Sequence, residues 1–233
     1  DNLGKLRTFD VVIANPPFSV KEWGHENWAT DPHRRSEYGG VPPKSQGDFA
    51  WVQHMLASAS PGGGRVGVVM PHGVLFRSGA EAKIRQHLIE SDLLEAVIGL
   101  PANLFYGAGI PACLLIFRKE KATGDKGKVR IVDGSKRFVA GRAQNSLSDQ
   151  DVAALFEAYT DTDAEIENVK QAVVDVSEIE ANDWDLNIGR YIEQDAAEII
   201  DTAEALKALR QAEQNTAKAQ TAMDERLKAA GYA

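Results

Sequence analysis

The run Phe9 to Ala14, FDVVIA, halted by Asn15-Pro16-Pro17, constrains this chain more than any other stretch. A short, continuous series of β-branched and apolar residues suits a strand covered on both faces, as in a parallel sheet, rather than an alternating, half-wet one. The two prolines fix φ near −65° and remove two main-chain donors, so neither strand nor helix continues through them. The carbonyls of this turn stay available at the strand's carboxyl end, the edge at which open α/β sheets bind ligands.

Similar apolar runs recur. Arg65 to Met70 (RVGVVM), Leu93 to Leu100 (LLEAVIGL), Pro111 to Arg118 (PACLLIFR) and Val129 to Asp133 read as four more strands. Between them, with Asp48 as the expected cap, FAWVQHMLASAS places Phe49, Val52, Met55 and Leu56 at helical spacing and stops at Pro61 and three glycines. Gly79 to Glu90 predicts a second helix. This order predicts an α/β fold with mostly parallel strands, in which only the last two strands sit close enough for an antiparallel connection. Residues 19–46, with their glycines, prolines, Trp23, Trp28 and Tyr38, form a long loop, a length more often functional than accidental.

Charge divides the chain. Residues 1–142 hold 19 Lys and Arg against 14 Asp and Glu, whereas residues 143–233 hold 7 against 20. The net charge of −8 therefore conceals a first part able to face phosphate and a second part that is not. The expected organisation is one domain over residues 1–147 and an acidic, mainly helical region over 148–233. Within the latter, residues 193–229 read as a continuous helix with Ile199, Ile200, Ala203, Leu206 and Leu209 on one stripe.

Several classes are disfavoured. No stretch approaches the ~18 apolar residues of a membrane span and no signal pattern opens the chain, so a cytoplasmic location without membrane contact is expected. Cys113 is the single cysteine and belongs in a buried strand; the five histidines lack ligand spacing, so no metal is expected. A start at Asp1 that enters a strand within ten residues is what a fragment shows.

The chemistry sits at Asn15-Pro16-Pro17-Phe18. An amino nitrogen conjugated to an aromatic ring or carbonyl is a poor nucleophile because its lone pair is delocalised. The side-chain carbonyl of Asn15 and the main-chain carbonyl of Pro16 can each accept one N–H, favouring pyramidal nitrogen and stabilising the charge that develops. Phe18 offers a flat face for a base. The plain alternative is a strand end whose Asn caps a turn and whose Phe joins the core. His33-Arg34-Arg35 and Lys44 suit DNA phosphates or a solvated loop equally. His54 and His72 are expected to make structural hydrogen bonds, and Trp23 and Trp28 to pack the loop or touch a displaced base.

FDVVIANPPF with SVKEWG resembles the catalytic motif of amino-methyltransferases, and of the DNA adenine-N6 modification subunits of type I restriction-modification systems in particular. GVPPKSQGDFAWVQHML, the stretch from GGGRVGVVMPHGVLF to ACLLIFRK, and DWDLNIGRYI follow in that family's order, covering roughly residues 1–192. The resemblance implies the carboxyl-terminal part of a Rossmann-like class I methyltransferase sheet, mostly parallel with its last strand antiparallel, followed by a helical arm. It implies S-adenosylmethionine as donor and an adenine flipped from double-stranded DNA, with Phe18 on one face and Phe105, or its neighbour Tyr106, on the other. It also implies Asp1 and Asn15 beside the cofactor, and a specificity subunit and a restriction subunit as partners. The family's glycine-rich cofactor loop has no counterpart here. Gly62-Gly63-Gly64 follows a helix and precedes a strand, the reverse of a nucleotide loop. Two other readings stand beside this one: an inert assembly module, and an amino-methyltransferase acting on protein glutamine or RNA.

Overall fold

The computed structural model describes residues 4–107, 109–192 and 202–232, apart from the side chains of 202–205. Asp1, Ile199 and Ile200 lie outside the described residues, as does the side chain of Ala203. The chain divides into two units, Asp1–Glu193 and Gln194–Ala233.

The first unit is built on one six-stranded sheet in the order β1-β2-β4-β3-β5-β6. The strands are β1 (Val11–Ala14), β2 (Arg65–Pro71), β3 (Leu94–Gly99), β4 (Ala112–Arg118), β5 (Lys128–Asp133) and β6 (Lys170–Asp175). β1 pairs with β2, and β3 with β5, in parallel; β4 runs against both β2 and β3, and β6 against β5. Four strands thus share one direction.

Two expectations about strands are corrected here. β4 and β5 are not an antiparallel pair: β4 is wedged between β2 and β3, and β5 lies beyond β3. A strand apolar up to its final arginine, such as ACLLIFR, is best buried with neighbours on both edges, and Cys113 and Phe117 are almost completely enclosed. β1, in contrast, is not covered on both faces. Among the described residues it pairs only with β2, and Val11 and Ile13 remain 61% and 78% exposed.

The helices are α1 (Asp48–Ser58), α2 (Ala80–Glu90), α3 (Asp149–Thr160) and α4 (Val176–Ala181). The apolar stripes of α1 (Phe49, Val52, Met55, Leu56) and α2 (Ile84, Leu88, Ile89) bury against alternate residues of the strands, among them Val66, Val68, Val97, Leu115 and Ile131. On the opposite face α3 covers β3 and β5 through Leu155, Ala158 and Tyr159, packed on Ala96, Ile98 and Val132. α3 does not reach β1. There an open groove of about 560 Å³ runs along Ile13, Asn15, Gly67, Val69, Leu114 and Ile116.

The compact unit extends to Glu193 rather than ending at 147. Residues 148–192 supply α3, β6 and α4, all packed on the sheet. Ser148 does open a helix, with a reciprocal cap between its side chain and Asp151. In the second unit α5 (Thr202–Ala229) is a single helix on which Leu206, Leu209, Met223 and Leu227 are exposed. No described helix is long and apolar enough to cross a membrane.

Candidate active site

Because β1, β2, β3 and β5 point the same way, their carboxyl ends meet along one edge, followed there by Asn15 after β1, by a short 3-10 helix from His72 after β2, by Leu100 after β3 and by Gly134 after β5. Asn15 and Pro17 are exposed, Pro16 is buried and Phe18 is half-buried. The Asn15 amide makes no side-chain hydrogen bond among the described residues and borders the open groove. A capping role for Asn15 would occupy that amide, and none does.

Ser19, directly after Phe18, takes the left-handed conformation at φ 52, and Glu22 does so at φ 54. Such backbone in a residue with a side chain costs on the order of 1 kcal/mol and persists where surrounding bonds impose it. Asp48 imposes it here. Its Oδ1 accepts the Ser19 main-chain N–H at 2.7 Å, and its Oδ2 accepts from Arg77 Nη1 at 2.8 Å. Asp48 is not the cap of α1: Gly47 holds that position without a side-chain bond, while Asp48 begins the helix and turns its carboxylate to the loop. Arg77 also pairs with Glu81 at 3.2 Å, and Asp48 and Glu81 are 1% and 2% exposed. Burial, with the neighbouring Asp48 charge, raises the Glu81 carboxyl above its ordinary range against the opposing pull of Arg77. Burial alone would lower Arg77; the two carboxylates reverse that and raise it. The cluster escaped sequence reasoning because its members lie 29 residues apart, linked only by the path of the chain.

The structure brings Phe18 and Phe105 together: their centroids are 5.8 Å apart with planes at 76°, an edge-to-face contact. A base held between two rings needs both faces roughly parallel, each ~3.5–4.0 Å from the base. The rings must therefore turn apart to admit one. Tyr106 is 97% exposed and has no ring contact with Phe18 among the described residues; Phe105 is the ring that meets Phe18.

The basic residues of the long loop separate. Arg35 is committed inside the fold: Nε and Nη2 both donate to Asp31 at 2.7 Å, Nη1 lies 3.2 Å from His54 Nδ1, and the guanidinium lies 4.1 Å from the Trp28 ring centre. The Arg35 hydrogen bond, overcoming burial, holds the Asp31 carboxyl far below the usual range. Arg34 pairs with Glu37 at the surface, and Lys44 is exposed. His54 has the structural role expected of it, and its pKa is lowered by burial and then by Arg35. His72 instead packs edge-on against Phe76 with ring centres 6.2 Å apart; burial lowers it, while Asp133 pulls the other way.

Known proteins align with this arrangement. The N-6 DNA methylase family model matches residues 1–199. The MjaVII type I restriction enzyme methylase subunit of Methanocaldococcus jannaschii is 37% identical over 191 residues, covering 78% of this chain and 32% of that protein. The HindI methylase subunit of Haemophilus influenzae is 32% identical, covering 80% of this chain and 42% of that one. The crystal structure of a type I restriction-modification methyltransferase subunit from Streptococcus thermophilus superposes with a TM-score of 0.72 at 36% identity, over 81% of this chain and 39% of the other. The chain spans about a third of the length of the curated relatives it matches. On the family match and these relatives, the chain belongs to the N-6 DNA methylase family.

Proposed function

We propose that this chain supplies the adenine-accepting half of a DNA adenine-N6 methyltransferase, the modification subunit of a type I restriction-modification system. The observation that carries this reading is the unpartnered Asn15 amide at the carboxyl end of β1, beside Phe18 and Phe105. Asn15 Oδ1 and the Pro16 carbonyl accept the two N–H bonds of the adenine amino group, the nitrogen becomes pyramidal, and its lone pair is freed for attack on a methyl carbon. The nitrogen then releases one of those protons to solvent water. Phe18 and Phe105 part and take the base between them, offsetting the few kcal/mol that flipping costs. Arg34 and Lys44 meet phosphate, while Arg35 holds the loop.

S-adenosylmethionine is the donor that family membership implies, and when bound it supplies an electrophilic methyl group on sulfur. The described residues do not form its cradle: Gly62-Gly63-Gly64 stands between α1 and the amino end of β2, away from Asn15. Asn15 lines the open groove and would lie beside the donor. A second reading is an assembly module that holds partners without methylating; tight binding of S-adenosylmethionine by this chain in calorimetry would remove it. Phe rather than Tyr at position 18, and the long family match, favour DNA adenine over protein glutamine or RNA as acceptor.

On α5, Leu206, Leu209, Met223 and Leu227 fall on one seam at three-and-four spacing, interrupted by Glu213, Thr216 and Gln220. Such a seam pairs with another helix. We propose a helix of the specificity subunit, with the restriction subunit joining the assembled complex. Asn15→Ala in the complete subunit, assembled with its specificity partner, tests the central reading. Loss of methyl incorporation into duplex DNA is expected, and retained activity overturns it.

A further inference from the structure

Beside the Asn15 loop lies a second cavity, of about 240 Å³, between α1 and the long loop, lined by Trp23, Trp28, Trp51, Arg35, His54 and Gly47. We propose that it is a pocket for one unstacked nucleobase carrying carbonyl acceptors, and that its natural occupant is the thymine left unpaired when adenine leaves the duplex. The second clause rests on the function proposed above; the first does not.

The aromatic walls are fixed before any ligand arrives. Trp23 and Trp28 meet at 85° with centroids 5.1 Å apart, forming a corner rather than a stacked pair. Trp23 Nε1 donates to the Pro43 carbonyl at 3.1 Å, and Trp28 Nε1 donates to the buried Gln53 at 2.7 Å. Gly47 completes the seat, since a Cβ there would lie 2.8 Å from Trp23 Cγ. A corner held this firmly loses little freedom on binding, which is what preorganisation contributes to affinity. At this size the cavity takes a single ring system rather than a drug-sized ligand.

The polar lining is one-sided. Arg35 donates to His54 Nδ1, so a neutral imidazole carries its proton on Nε2 and presents a donor. Trp51 Nε1, shielded from solvent, has no acceptor among the described residues. Asp31 has both oxygens taken by Arg35. Aromatic faces beside the His54 donor suit a base that carries carbonyl acceptors, as thymine does.

The location fits the orphaned base. The Gly47 N–H donates to the Val20 carbonyl at 2.9 Å, and the adjacent Asp48 holds Ser19, so the pocket wall is bonded to the segment that follows Phe18.

The test uses the 233-residue chain and its tryptophan fluorescence, titrated with three duplexes and two single strands. The duplexes carry thymine opposite an abasic site, adenine opposite an abasic site, or no lesion; the strands are eight-residue oligothymidylate and oligoadenylate. Quenching with at least tenfold tighter binding of the orphan-thymine duplex than of the other two is expected. His54→Phe, which keeps a ring but removes the donor, and Trp23→Phe should each abolish that preference. Oligothymidylate binding as tightly as the orphan-thymine duplex keeps the pocket but overturns the orphan assignment. No quenching by any probe, or a preference for the orphan-thymine duplex that survives both substitutions unchanged, overturns the pocket. Asn15→Ala should leave the preference intact while ending methylation in the complete subunit, so the two proposals fail separately.

Discussion

Asp48 and Ser19 are joined by a 2.7 Å hydrogen bond in which the Ser19 main-chain N–H donates to Asp48 Oδ1, and this bond ties the first residue of α1 to the residue after Phe18. The same carboxylate anchors Arg77, so the loop end is tethered to a buried charge pair rather than to solvent.

Asp48→Ala should therefore act on turnover as well as stability. Displacing Phe18 and Asn15 by about 1 Å lowers kcat on the order of 10²-fold, and losing two bonds to a buried carboxylate costs about 2–3 kcal/mol. Asp48→Asn, which keeps the acceptor for Ser19, should retain more turnover. Steady-state methylation by the complete subunit, alongside urea unfolding of the chain, separates the two effects; equal kcat in all three proteins contradicts the tether.

Phe105→Ala should weaken capture of an extrahelical base about tenfold or more, given stacking worth ~1–3 kcal/mol per base. Tyr106→Ala should change little. A duplex with 2-aminopurine at the target position reports this through its fluorescence, and a larger effect at Tyr106 would reassign the opposing wall.

Glu95 gives an acid-side prediction. Burial would raise its carboxyl, but bonds from Arg118 at 2.8 and 3.2 Å and from Tyr159 at 2.6 Å prevail and lower it. A carboxyl lowered in the folded state contributes stability that is present above its ordinary range and lost as pH falls through the depressed value. Glu95→Gln should cost about 2–3 kcal/mol at neutral pH, and the gap from the parent chain should narrow on acidification. Urea midpoints from pH 7 down to 3 test this, and a constant gap counts against it.

Gly39→Ala should destabilise by about 2–3 kcal/mol. Gly39 sits at φ +96, and a Cβ there would come within 2.7 Å of the Ile84 Cα on α2. Thermal unfolding measures it; an unchanged midpoint would mean that the loop docks on α2 less closely than described.

Much of the frame was legible because period and punctuation agreed. Phe49, Val52, Met55 and Leu56 predict the buried side of α1, and Pro61 with three glycines predicts its end. The motif Asn15 to Phe18 was readable as a strand end. Strand order was not, since pairing β4 with β2 joins Arg65 to Arg118 across a span that no local pattern encodes. β6 was missed because KQAVVD is short, polar at its ends and only partly buried. Exposure of Val11 and Ile13 ran against their own chemistry: β-branched residues predict cover, and cover depends on what lies beside them. Arg35 looked like a phosphate contact because sequence shows charge but not that Asp31 and Trp28 enclose it.

The wedged position of β4 also dictates an order of assembly. β3 and β4 can zip up as neighbours, but β2 and β3 run the same way with a full strand's width between them until Ala112–Arg118 arrives to bridge both ladders. Closing so long a loop is slow compared with forming helices or hairpins. A nascent chain released before Ala112 would thus carry β1 already paired with β2, but β2 and β3 without the strand that joins them.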